Sequence, residues 1–282
     1  TQNGDYNAVR GTGGQPFDIN GGYNTLTVTQ GTNTVAGNHN LFEGNITGSS
    51  NSITAIQRGN SNYEQTLITG SSNILNTTQD GRYNKVAGIG ADAAPIQGDY
   101  NSVTIKQGNV SNPLGKNLVE LAVYGSYNNL NLNQGQSATD QGGHMQTVSV
   151  SGSNNTITTD QTNNNGNYGH YLQTNITGNN NTQNLTQSGN AVKKMFVTTN
   201  GSGNNLSALQ DGFGDHYLSV DMTGTSNDAV INQTGNTKNA ATINLTNSGS
   251  PASVTLNQSG GQTYNIDRSC TTTCARVTVT QP

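Results

Sequence analysis

GDYNSVTIKQ, residues 98–107, carries the pattern that decides the fold. Counting from Asn101, the even positions hold Val103, Ile105 and Gln107, and the odd ones Ser102, Thr104 and Lys106. Successive side chains of a strand point to opposite faces, so a half-buried strand here turns Asn101, Val103, Ile105 and Gln107 inward and the rest to water. Gly98, three residues before the asparagine, opens a turn that delivers the chain into that strand. A single GxxN would mean little; its recurrence is the signal.

Outward in both directions the same unit returns. Its glycines are Gly21, Gly48, Gly70, Gly98, Gly125, Gly152, Gly178, Gly201, Gly224 and Gly249. Three residues after each comes Asn24, Asn51, Asn73, Asn101, Asn128, Asn155, Asn181, Asn204 or Asn227, with Ala252 in the last copy. Six further on stands Gln30, Gln57, Gln79, Gln107, Gln134, Gln161, Gln187, Gln210, Gln233 or Gln258. Copies start 22 to 28 residues apart, one supersecondary unit each. A second alternating segment precedes each turn glycine, as in Val119/Leu121/Val123 and Leu218/Val220/Met222. A second turn follows each glutamine, often with glycine, as at Gly59, Gly81 and Gly108.

The sequence therefore predicts an all-β protein, a β-solenoid of about ten strand-turn-strand-turn rungs. Two facing parallel sheets would enclose a thin apolar core and inward columns of stacked Asn and Gln. A buried amide is costly alone, but a column of identical amides satisfies donor and acceptor rung after rung. Residues 1–20 form an N-terminal arm or imperfect first rung, 21–260 the repeat solenoid, and 261–282 a Cys-containing loop and last strand.

Composition narrows the function. Asn, Thr, Ser, Gln and Gly supply 164 of 282 residues, against 29% hydrophobic and 9% charged, too little apolar surface for a conventional single-core enzyme. A net charge of −4 with 11 Lys+Arg gives no basic stripe for nucleic acid. No apolar run is long enough for a membrane span. A chain opening at Thr1 reads as a mature, secreted product.

GSSNSITAIQ (48–57), GDYNSVTIKQ (98–107) and GSYNNLNLNQ (125–134), with the linked QxGxxN at Gln57/Gly59/Asn62 and Gln79/Gly81/Asn84, resemble the curlin repeat of bacterial curli fibres. The resemblance covers roughly residues 21 to 260. It departs where curlin repeats carry Gln two residues before the turn glycine and this chain has Ile46, Ile68, Val123, Val150 or Met222. The resemblance implies a secreted, non-enzymatic subunit that polymerises head to tail with itself into an amyloid-like fibre of the biofilm matrix, with a role in surface adhesion. It leaves room for a secretion or nucleation partner and implies no cofactor.

Other candidates are weaker. Cys270 and Cys274 lie in a Thr-rich loop; a local disulfide is the leading reading, with free thiols next. His144, His170 and His216 each fall eight residues before a turn glycine and are expected to be solvated corner residues, with metal binding the lesser reading. Tyr23, Tyr100 and Tyr127 share one turn position, as an exposed aromatic column or simple turn packing. Carboxylates show no paired spacing for glycosidase-type catalysis. The alternative function is a monomeric surface-binding solenoid for ice or carbohydrate, or another bacterial surface appendage. A flat Thr lattice would favour the first, but Thr fills only 11 of 30 outward first-strand positions.

Overall fold

A computed structural model describes the chain except for residues 32–36, 91, 110, 112–113, 164–168, 226–227, 247–252, 262, 268, 270–275 and 281–282. Apart from one 3-10 turn, Thr12–Gly14, its regular structure is all β, and every strand pair is parallel. The protein is a β-solenoid. The nine strands that begin after the ladder asparagines, with Ser253–Gln258 and Val277–Thr280, make one eleven-stranded sheet that starts at Thr25–Gln30 and runs through Ser102–Gln107. Each strand pairs with the same positions of the next copy: Val103 opposite Leu130, Ile105 opposite Leu132, Gln107 opposite Gln134. A one-residue slip would turn every apolar side chain to water, and this fixes the register.

The opposing sheet has eight strands, including Leu41–Thr47, Tyr63–Thr69, Leu118–Tyr124 and Met145–Ser151. Residues 1–20 belong to the solenoid: Ala8–Arg10 pairs with Leu41 to Glu43, Ile19–Asn20 with Ile46 to Thr47, and Gln2 bridges to Gln30. The GDYN at 4–7 is the second corner of the rung that starts at Gln2, which is why no glutamine follows it at the first-corner spacing.

The sequence predicts a regular strand before every turn glycine, and between Tyr171 and Met222 the structure departs from that. The three segments before Gly178, Gly201 and Gly224 form no strand, although Leu172, Ile176, Met195, Leu218, Val220 and Met222 stay buried on the inward parity. In the second and third of these, positive φ at Phe196, Val197, Asn200 and Asp221 interrupts the pleat. Rung-to-rung hydrogen bonds persist nonetheless, Leu172 N–H to Met145 O at 3.0 Å among them.

The apolar core falls into two clusters. One runs from Phe42 to Ile157 and Ile176, the other from Leu172 and Leu185 to Leu256. A polar chain lies where they meet: Thr174 Oγ1 donates to Gln183 Oε1 at 2.6 Å, and Gln183 Nε2 donates to Thr199 Oγ1 at 2.7 Å.

Candidate functional site

The first column is built from the GxxN corner. The residue before each ladder asparagine is left-handed, with φ of 60° at Tyr23, 59° at Ser50, 57° at Tyr100 and 59° at Tyr127. That kink points the asparagine side chain along the stack. Asn24, Asn51, Asn73, Asn101, Asn128, Asn155, Asn181 and Asn204 form one line, each Nδ2 donating to the Oδ1 of the preceding member at 2.9–3.1 Å. The same Oδ1 also accepts the backbone N–H of the following asparagine. In the first six, Nδ2 also reaches forward to the next turn glycine's carbonyl, as Asn101 does to Gly125 O at 2.7 Å. Asn227, Gly249 and the pair Cys270/Cys274 lie outside the described residues.

The glutamine column runs the opposite way. Each Nε2 donates to the Oε1 of the next rung at 2.8–3.0 Å, from Gln30 without a break to Gln258. Gln2, which stands outside the GxxN repeat, extends this column at the N-terminal end by donating to Gln30 Oε1 at 2.8 Å. In most rungs Nε2 has a second acceptor across the interior, for example Leu118 O for Gln134 at 3.0 Å, so the glutamines tie the sheets together.

A third column lines the second corner. Asn7, Asn40, Asn62, Asn84 and Asn117 each accept the backbone N–H of the next member. His144, His170, Lys193, His216 and Asn239 continue it. The three histidines are buried, not solvated: each is at most 1% exposed. The His144 and His170 rings adjoin, centroids 5.1 Å apart and tilted by 44°. The QxGxxN elements at Gln57 and Gln79 were the visible part of this column. Counted from the glutamine the distance varies, five residues from Gln57 to Asn62 but ten from Gln107 to Asn117, whereas most members stand eight residues before the next turn glycine, and the change of residue type from Asn to His and Lys masks the column.

Gly21, Gly48, Gly70, Gly98, Gly125 and Gly152 stack with φ of 118–129°. At Gly48 a Cβ would run into the carbonyl oxygen of Gly70. Tyr100 and Tyr127 stack on the outside, centroids 4.9 Å apart and 8° from parallel.

Ionisable groups inside are few. Glu64 is fully buried, accepts from Thr77 Oγ1 at 3.0 Å, and its Oε2 has no partner among the described residues. Burial pushes its carboxyl up to about 8, which keeps it protonated in neutral solution. Asp80 is likewise raised by burial, against the pull of a two-pronged ion pair with Arg58. Among the described residues no three His, Cys, Asp or Glu side chains converge as a metal site, and no helix is long and apolar enough to cross a membrane.

The two ends of the stack present strand edges. Leu26 and Val28 at one end, and Tyr264, Ile266, Val277 and Val279 at the other, pack on the core while only partly buried. Compared with family models, curated proteins and solved structures, the chain matches none.

Proposed function

We propose that this protein is a secreted, non-enzymatic structural subunit that stacks end to end with copies of itself into an extracellular fibre for matrix cohesion or surface adhesion. The observation that supports the reading is the translational repeat of the glutamine column, unbroken from Gln2 to Gln258. A rung of a second copy is chemically equivalent to the next rung of the first. Open parallel edges recruit further strands, and a heterologous contact that does not close yields filaments. The glutamine column is polar: from Gln2 to Gln233 each Nε2 donates toward the higher-numbered rung. Head-to-tail addition preserves that direction, whereas head-to-head contact would set oxygen against oxygen.

The test is negative-stain electron microscopy of purified protein over a concentration series, with size-exclusion chromatography of the same samples. Long unbranched filaments are expected. Their axial repeat should be roughly 50–60 Å, the height of the eleven-stranded sheet with the Gln2 layer at about 4.8 Å per strand. A persistent monomer at all concentrations overturns the proposal and favours a surface-binding solenoid.

A further inference from the structure

The second-corner column changes chemistry partway along the solenoid. From Asn7 to Asn117 every member offers an amide oxygen to the backbone N–H of the next rung; then come His144, His170, Lys193 and His216, before Asn239 restores the amide. An imidazole fills the place of asparagine only in one form. His144 Nδ1 accepts the N–H of His170 at 3.0 Å, His170 Nδ1 that of Lys193 at 3.2 Å, and His216 Nδ1 that of Asn239 at 3.4 Å. At the other nitrogen, His170 Nε2 lies 2.9 Å from Thr162 O and His216 Nε2 2.7 Å from Asp211 O, both acceptors, so Nε2 carries the proton. A second proton must go to Nδ1. There it meets a backbone N–H, replaces a hydrogen bond by two opposed donors, and places a charge in the interior.

Neighbouring charges sort the three rings. His144 Nε2 sits 3.0 and 3.1 Å from the two Asp140 oxygens, and Asp160 also faces it, so a charge there has counter-ions. His170 stands between His144 and Lys193, with only Asp140 on the favourable side. Asp211 and Asp215 act on His216 against Lys193, and Lys194 and Lys238 line the groove beside it. Burial, then the neighbouring His144 ring, push His170 down to about 3; burial lowers His216 as well. Lys193 is itself buried, its Nζ held by Ala191 O at 2.9 Å and Gly212 O at 3.0 Å, and burial brings it down to about 8.

We propose that this histidine–lysine segment is an acid-sensitive latch: in mildly acidic medium, protonation of His170 and His216 opens the second corner and loosens the C-terminal half of the solenoid, while the all-asparagine half stays closed. The boundary has an independent basis, because the apolar core divides at the same rungs across the polar chain of Thr174, Gln183 and Thr199. Segments with separate cores open separately. The latch does not depend on whether the protein polymerises.

The sign follows from linkage. His170 has an ordinary value of 6.5 and is held at about 3 in the fold, so its stabilising contribution is complete above about 6.5 and is lost as pH falls toward 3. By about pH 4.5 the ratio of closed to open latch should drop about a hundredfold from His170 alone.

Hydrogen exchange of the full chain, read by mass spectrometry at about pH 7 and about pH 4.5 and corrected for intrinsic rates, tests this. Peptides covering 170–176, 193–199 and 216–222 should lose roughly a hundredfold in protection while those covering 40–47 and 62–69 keep theirs. Equal loss in both halves, or none in either, overturns the latch. The double variant His170→Asn/His216→Asn installs the side chain found at Asn62 and Asn84. It should hold its C-terminal protection in acid; an acid response equal to that of the unaltered protein would also overturn the proposal.

Discussion

The carboxamide oxygen of Asn101 accepts two hydrogen bonds from Asn128 in the next rung, one from its backbone N–H and one from its Nδ2, both at 3.0 Å. Asn128 Nδ2 donates again, to Gly152 O at 2.8 Å. One short side chain therefore joins three successive rungs, and the GxxN corner is a structural clamp as well as a turn.

Replacing Asn128 with Ala removes that clamp, leaves the backbone N–H of Asn155 without its acceptor, and takes from Asn155 Nδ2 one of its two, the other being Gly178 O. Each orphaned buried group costs about 1–3 kcal/mol, so N128A should lose roughly 2–4 kcal/mol in denaturant unfolding. An unchanged midpoint would mean that the column follows the backbone without holding it.

Gln134 accepts from Gln107 Nε2 and donates to Gln161 Oε1, each at 3.0 Å. Replacing it with Glu keeps the acceptor but loses the donor, and buries a charge in neutral solution. Burial raises the new carboxyl's pKa, so the deficit of Q134E should be largest near neutrality and shrink as pH falls and the acid regains an O–H. Thermal unfolding of both proteins across pH would show it; a deficit independent of pH contradicts the directional column.

Glu64 supplies a second pH dependence, of opposite sign to the histidines. Its carboxyl sits at about 8 in the fold against an ordinary 4.5, so the folded state holds a proton that the unfolded chain releases. Its contribution is complete below about 4.5 and is lost as pH rises toward 8, by roughly 1.4 kcal/mol per pH unit. The same column holds Gln146, which accepts from Thr159 Oγ1 at 2.9 Å as Glu64 does from Thr77. Glu64→Gln should therefore fold and remove this slope. Unfolding free energies of the two proteins between about pH 5 and pH 8 that run parallel would disprove a buried neutral carboxyl.

Two glycines of one repeat family should differ sharply. Gly48 has φ of 122° and no room for a methyl group against Gly70, whereas Gly22 has open space around the position of a Cβ. G48A is expected to cost at least about 3 kcal/mol from backbone strain and the clash, G22A no more than about 0.5 kcal/mol. Comparable denaturation midpoints for the two variants would contradict the stacked-glycine corner.

Much of this architecture was legible in a ten-residue window. Alternation placed Val103, Ile105 and Gln107 on one face, and the repeat spacing set Gln107 opposite Gln134, because a strand has a period of two and any slip would expose the core. The irregular backbone around Phe196 and Val197 was not legible, since both residue types suit strands and neither favours the positive φ they adopt.

What the sequence determined by itself was the all-β class, the inward parity and the membership of the two amide columns that keep a constant spacing. Only the tertiary structure decided that Gln2 extends one column and that His144, His170, Lys193 and His216 continue a third. Each of those four stands eight residues before a turn glycine, a spacing the sequence shows, but the change from Asn to His and Lys hides that they continue one column. Strand pairing on either side brings them into line, and burial in that line lowers the proton affinity of His170, Lys193 and His216.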